Sequence, residues 1–349
     1  MIVKVCDAIM GTGKSQSAIT YMNEHKDDKF IYITPYLEEA NRIKKGCSSL
    51  RFVEPQVLAQ YNLRKTEHAA ALIREGRNIT TTHQAFKGYT PETLEDIKSQ
   101  GYTLIIDENV DVLETFDFHV DDLQIAVDAG YIKEDNGIYT VTNTEYKGKA
   151  LRDMFRLLKT RELVRIEDDD SNSLFYWALP PELITSFKNV FILTYLFKGQ
   201  SLHHFLEIYN IPYEYIGIEK TDEAATGFRF AEYPGYTPEY VSHLGDMLHV
   251  IESGRINDIG DDYFALSMNW FKKSDEEETD RLRRNVANCF KNIWSDIPAD
   301  ERLWATYNKE KAHMQGKGYT KSFLTFNAKA TNAYRNRTHL VYMVNVFMN

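Results

Sequence analysis

Short apolar runs rich in β-branched and aromatic residues alternate with amphipathic stretches through the first third of the chain. The runs at Ile2–Cys6, Phe30–Thr34, Arg51–Val53, Asn78–Thr81 and Thr103–Ile106 predict strands, and Lys14–Glu24, Leu37–Lys45 and Leu63–Glu75 predict helices. That alternation needs right-handed crossovers, so a parallel sheet in an α/β domain is expected. After Asp107 the rhythm breaks. An acidic stretch runs to Asp122, and Asn136-Gly137 between two alternating runs signals a hairpin. A second hairpin is expected from Leu163–Ile166 and Leu174–Trp177 across an acidic turn at Asp168–Ser173, with a helix near Lys147–Thr160. The apolar run Val190–Thr194 then returns to the first sheet, which makes about 109–188 an α+β insertion. From Ser201 a second set is expected: strands at Tyr213–Ile218, Phe264–Ser267 and Ser322–Phe326, with helices at Pro238–Glu252 and Glu277–Ile293.

Length agrees with this division, because 349 residues exceed what one hydrophobic core usually supports. The expected boundary lies at Phe197–Gln200, giving domains 1–200 and 201–349. Net charge changes the picture in one respect. At −10 overall, and with a pI near 5.5, the chain lacks the global basic field of a small DNA-binding domain, so any contact with nucleic acid must be local. Cys6, Cys47 and Cys289 are an odd set without metal-ligand spacing and read as buried reduced thiols, which suits the cytoplasm. No segment approaches the roughly 18 apolar residues of a membrane span, and the N-terminus lacks export features.

Ala8-Ile9-Met10-Gly11-Thr12-Gly13-Lys14-Ser15 follows an apolar strand and opens a helix, the context that gives a phosphate-binding loop its meaning. Gly11 and Gly13 allow backbone N–H groups to turn inward around an anion, and the helix N-terminus adds its dipole. Lys14 would reach the β- and γ-phosphates of ATP, Ser15 would ligate Mg²⁺, and Ala8, Gly11, Thr12, Gly13 and Gln16 would complete the cradle. Ala8 stands where the usual pattern has its first glycine. The strand Tyr102–Ile106 ends on Asp107-Glu108, whose side chains alternate: Asp107 would hold the metal and Glu108 would polarise the attacking water. Thr194, closing another buried strand, is either a γ-phosphate sensor or a simple strand cap.

This ordered set resembles superfamily 2 helicases, the DEAD/DEAH-like group, and in particular the divergent helicase-like proteins of tailed bacteriophages. Ala8–Ser15 looks like motif I, Ile33–Tyr36 like motif Ia, Thr80–Gln84 like motifs Ib and Ic, Asp107-Glu108 like motif II, and Leu193–Tyr195 like motif III. The resemblance implies two tandem RecA-like P-loop NTPase domains with ATP and Mg²⁺ between them. It also implies that Thr34, Pro35, Tyr36, Thr81, Thr82 and His83 grip the backbone of a nucleic acid, single-stranded DNA first, alongside replication partners in the host cytoplasm. Hydroxyls and amides bind phosphates without net positive charge, so the acidic pI is no obstacle.

The departures are specific. Motif II reads Asp107-Glu108-Asn109-Val110, and no Gln-x-x-Gly-Arg-x-x-Arg segment follows Ser201. That segment carries the family's arginine finger, a group worth roughly a thousandfold or more in hydrolysis rate. Arg335 and Arg337 are the substitutes on offer, and the apolar stretch Val341–Phe347 reads as a second domain cut short. Two other functions stay open: a P-loop kinase or phosphotransferase, which would want an arginine-rich lid, and a nucleotide-binding interaction module without efficient turnover.

Overall fold

The expected alternation is realised in a computed structural model that describes every residue except 36, 116–117, 144–145, 147, 150, 159, 168–172, 236–244, 253, 329–333 and 348–349. The first half runs β1 (Val3–Asp7), α1 (Lys14–Glu24), β2 (Phe30–Ile33), α2 (Leu37–Gly46), α3 (Lys65–Arg74), β3 (Ile79–Thr81), α4 (His83–Phe86), α5 (Pro91–Gln100) and β4 (Thr103–Asp107). Local signals set the helix ends. The Thr90 side chain caps α5, Pro91 occupies its first turn, and Gly101 ends it at φ 65°. Of the expected strand Arg51–Val53, an isolated bridge from Val53 to Ile79 forms.

An insertion follows: β5 (Leu113–Thr115), α6 (Val120–Asp128), β6 (Ile132–Asp135), β7 (Ile138–Val141), α7 (Arg152–Leu157), β8 (Glu162–Glu167) and β9 (Ser173–Ala178). Its strands form an antiparallel sheet in the order β5-β9-β8-β7-β6 around Tyr139, Leu163 and Trp177. Asn136 and Gly137 take φ of 52° and 80°, the left-handed pair that a two-residue hairpin turn needs. The expected helix Lys147–Thr160 narrows to α7, and most of the acidic turn lies outside the described residues.

The chain re-enters the main sheet through α8 (Glu182–Thr185), β10 (Asn189–Thr194), α9 (Ser201–Ile208), β11 (Tyr213–Lys220) and β12 (Phe228–Glu232). The sheet has seven strands in the order β12-β11-β1-β10-β4-β2-β3, parallel except for the β11–β12 pair. The first compact unit therefore extends through Tyr236, not to residue 200. Buried β1 needs a neighbour on each side, and β11 supplies the second.

Side chains alternate across this sheet between two cores. Val3, Val5, Ile31, Ile33, Leu104, Ile106, Val190 and Ile192 face one core, which also holds Leu202 and Phe205 of α9. Cys6, Phe30, Tyr32, Ile105, Phe191 and Leu193 face the other, with Ala18, Ile19 and Met22 of α1. All three cysteines are buried and free, and burial pushes the thiols of Cys6 and Cys47 up to about 12. No helix among the described residues is long and apolar enough to cross a membrane.

The second unit, Thr237–Asn349, holds α10 (Met268–Lys273), α11 (Glu276–Asn288), β13 (Arg302–Thr306), α12 (Lys311–Met314), β14 (Phe323–Thr325) and β15 (His339–Tyr342). Its parallel sheet runs β14-β13-β15. Trp304, fully buried on β13, donates to the Tyr319 carbonyl at 2.8 Å, and Tyr319 donates to the Met314 carbonyl at 2.7 Å. The expected strand Phe264–Ser267 is instead a turn, with Leu266 at φ 60° and Ser267 capping α10. Much of the expected helix Pro238–Glu252 lies outside the described residues, and residues 248–252 carry no regular structure.

Candidate functional site

Parallel strands deliver their C-terminal ends to one edge of the sheet, and the order β1-β10-β4 places the P-loop and the acidic pair there, one strand apart. Gly11 and Gly13 adopt φ of 82° and 99°, and Gly13 is the residue that caps α1. The loop is tied to the next strand by the Ala8 N–H, which donates to the Thr194 carbonyl at 3.0 Å. Lys14 is 8% exposed, and its ammonium donates to the carbonyls of Ala8 at 2.6 Å and Ile9 at 3.1 Å. Burial lowers its pKa, opposed chiefly by the charge of Glu108.

Asp107 shares parity with Ile105, so its side chain lies on the α1 face. There the Tyr32 hydroxyl donates to its Oδ2 at 2.8 Å, and the Ser15 hydroxyl lies 3.5 Å from the same oxygen. Burial, then the charge of Glu39, raise the Asp107 carboxyl, against the lowering hydrogen bond from Tyr32; Glu108 adds to the rise and Lys14 opposes it, and the net value is about 7. Glu39, in the first turn of α2, has its own carboxyl raised by burial and pairs with Arg42 at 2.9 Å. The next residue, Glu108, sits at φ 69° with its N–H on the Leu193 carbonyl at 3.0 Å. A non-glycine residue held in the left-handed region stores strain, a feature that concentrates at working sites.

These donors suit Mg²⁺. Ser15, Asp107 and Glu39 offer hard oxygens of the kind Mg²⁺ takes, and Ser15 and Asp107, 3.5 Å apart, would have to draw together by about 0.6 Å to share an octahedral edge of about 2.9 Å. A dication would also add positive charge beside the buried Asp107 carboxyl, beyond that of Lys14 and Arg42.

Thr194 has the opposite parity, and its hydroxyl, 1% exposed, bonds with Gln200 at 2.7–3.0 Å on the α9 face. Asp7, on that face too, accepts from the backbone N–H groups of Leu196 at 2.8 Å and Phe197 at 3.1 Å, a structural role.

The expected nucleic-acid residues gather beyond β2 and β3. Thr34 and Thr81, both buried against expectation, line a narrow crevice with Thr82, Glu54, Pro55 and Lys65. The Thr34 N–H donates to the Thr81 carbonyl at 3.0 Å, and the Thr82 side chain caps α4. The His83 ring nitrogen lies 3.1 Å from the Asp107 carbonyl, so this cleft and the acidic strand share a direct link. Pro35 is half-buried, and Tyr36 lies outside the described residues. In the second unit, Arg337 is bonded to the carbonyls of Ala299 at 3.1 Å and Arg302 at 3.3 Å, while Arg335 is exposed.

Three participants escaped the sequence reading. Tyr32 was recoverable from the alternation along β2, whereas Glu39 reads as an ordinary first-turn acid and Lys65 as a surface cation; nothing in the sequence marks those two.

Along 99% of its length this chain is 35% identical to the SPbeta prophage-derived uncharacterized protein YonV of Bacillus subtilis (strain 168), over 360 aligned residues and 85% of that relative. The chain belongs to the YonV family. Residues 242–349 match the family described as the YonV C-terminal Rossmann-like domain, so the parallel sheet of the second unit is the family's C-terminal domain. Among solved structures, the DUF1998 helicase MrfA bound to DNA and AMPPNP is similar at 9% identity and a TM-score of 0.36, covering 98% of this chain. The chain spans 39% of the length of that one, and so loose a likeness carries no argument about the site.

Proposed function

We propose that this chain is an ATP-dependent nucleic-acid motor, a helicase or translocase of RecA-like architecture. The observation that carries the reading is the convergence of Lys14 and Ser15 with Asp107 and Glu108 at one sheet edge, with Ser15 and Asp107 3.5 Å apart. The backbone N–H groups of Gly11 to Gln16 would cradle the phosphates, and Lys14 would exchange the Ala8 and Ile9 carbonyls for phosphate oxygens. Ser15 and Asp107 would hold Mg²⁺, which when bound neutralises charge on the β- and γ-oxygens. Glu108, turned out of the strand by its left-handed backbone, would accept a proton from the attacking water.

The partly exposed pair Thr82–His83 supports a strand-gripping surface, for which single-stranded DNA is the first candidate. Its link to the Asp107 carbonyl gives a short route between nucleotide state and grip. The prophage origin of the Bacillus relative supports a role in phage DNA replication or recombination, in the host cytoplasm.

The bonding of Arg337 within its own unit favours one alternative, a nucleotide-dependent interaction module that turns over slowly for want of an arginine finger. One assay separates the two: ATP hydrolysis with single-stranded DNA, single-stranded RNA or duplex. Several-fold stimulation by one of them is expected, with loss of turnover in Glu108→Gln. Binding of ATP without stimulation by any of the three would replace the motor with the module.

A further inference from the structure

The hairpin of β11 and β12 reaches past the sheet to stand beside the P-loop. Val5 of β1 pairs with Tyr215, and β1 ends two residues later, at Asp7; β11 continues to Lys220. Three further residues at roughly 3.3 Å each carry it about 10 Å beyond the end of β1, to the level of the phosphate cradle. Phe228 lies opposite Lys220 on the partner strand.

Two hydroxyl contacts fix the hairpin turn on α1. The Thr226 hydroxyl donates to the Gln16 carbonyl at 2.9 Å and lies 2.8 Å from the Thr20 hydroxyl. Residues 13, 16 and 20 share one side of α1, and Phe228 covers the first of them. A Cβ built on Gly13 would meet the Phe228 ring at 2.4 Å, so the glycine is what lets the ring approach. Phe230, two residues on, stacks on Phe191 in the core at 5.3 Å, anchoring the same face of β12. Phe228 itself stays partly exposed.

Direction along the loop decides what that ring faces. Ser15 and Asp107 mark the terminal-phosphate side, toward β10 and β4. A triphosphate laid along the cradle with that end outermost sends its ribose and base the other way across β1, toward β11 and β12. We infer that Phe228 is the platform on which the base of a purine nucleoside triphosphate stacks. This rests on the nucleotide-binding reading above. Phenylalanine offers a π-face and no polar atom, so the subsite selects for stacking area, purine over pyrimidine, and distinguishes adenine from guanine weakly.

The test compares Mg²⁺ complexes of ATP, CTP and inorganic tripolyphosphate by calorimetry on the full chain, in the wild type, Phe228→Tyr and Phe228→Leu. Leucine keeps apolar packing on Gly13 and removes the aromatic face. We expect wild type and Phe228→Tyr to bind ATP more tightly than CTP, and tripolyphosphate least. Phe228→Leu should lose about tenfold in ATP affinity, within the range measured for base–aromatic stacking, with tripolyphosphate affinity unchanged. Equal losses for ATP and tripolyphosphate would make Phe228 a mere prop for the loop and overturn the inference. Wild-type affinity equal for ATP and tripolyphosphate would overturn it too, leaving the phosphate site standing. Binding of none of the three would overturn both.

Discussion

The Tyr32 hydroxyl donates to Asp107 Oδ2 across two neighbouring strands at 2.8 Å, with both residues buried. A hydrogen bond to a carboxylate favours its charged form, so this contact holds down a pKa that burial drives up. Tyr32→Phe should raise the Asp107 pKa further and destabilise the fold by about 1–3 kcal/mol, the cost of an unmet buried acceptor. The loss should be larger at pH 8, where the carboxylate is charged, than at pH 5. Guanidinium unfolding at the two pH values reads it directly, and an equal loss at both would remove Asp107 from the explanation.

Asp107 makes the stability itself depend on pH. Its folded pKa of about 7 stands above the ordinary 3.8, so between those values the native state holds a proton that the unfolded state has released. Stability must therefore fall as pH rises through that window and level off above it. Asp107→Asn lacks this loss. The wild-type value minus that of the variant should decline by a few kcal/mol from pH 4 to pH 8, about 1.4 kcal/mol per pKa unit. Millimolar Mg²⁺ at pH 8 should restore part of the decline in the wild type and none in the variant, as followed by thermal unfolding.

The first sheet was legible in the sequence because its strands are short, buried on both faces and punctuated by glycine and polar turns. β1, β2, β4 and β10 all lie within a residue or two of expectation. That the glycine-rich loop follows β1 and the acidic pair closes β4 was legible because each is bounded by a short apolar strand. Less legible was what depends on pairing partners. The Arg302–Thr306 run is five residues, with charge at one end and a tryptophan at its middle, and only the flanking β14 and β15 make it a central strand. The unit boundary moved for the same reason, since nothing in Tyr213–Lys220 announces that β1 is its neighbour. Thr194 shows the limit within a strand: its position was read correctly, but parity sends its hydroxyl to Gln200 on the face opposite Asp107.

The general-base role proposed for Glu108 sets activity against backbone ease. At φ 69° a side chain costs roughly 1–2 kcal/mol that glycine does not pay. Glu108→Gly should therefore keep or slightly raise the melting temperature, offset only by glycine's larger unfolded-state entropy, while abolishing ATP turnover. Glu108→Gln should abolish turnover with stability unchanged. A clear drop in melting temperature for the glycine variant would show that the side chain, not the backbone, is the stabilising part.

Glu114 ties the insertion to the α/β core. Its carboxylate accepts from Lys87 at 2.8 Å and also pairs with Arg161, and both cations have side chains only 8% exposed. The two cations hold its pKa below the usual carboxylate range against the burial that would raise it. Glu114→Ala strands two buried positive charges. Because Glu114 is itself partly solvated, the expected loss is about 1–3 kcal/mol, below the range for a fully buried pair. Lys87→Met combined with Glu114→Ala should recover part of it; limited proteolysis should find the single variant cut first within residues 109–188.

Gly13 and Phe228 should be energetically coupled. Gly13→Ala faces two separate penalties: a left-handed backbone at φ 99°, and a Cβ placed 2.4 Å from the aromatic ring. The first persists whatever stands at position 228, and the second disappears with the ring. In a double-mutant cycle, Gly13→Ala should cost at least about 2 kcal/mol in the wild type and about 1 kcal/mol less in a Phe228→Ala background, beyond the roughly 0.3–0.5 kcal/mol scatter of additive sites. The residual cost reports the backbone alone. Were the two substitutions simply additive, the ring would not rest on the loop, and the hairpin would stand away from the phosphate cradle.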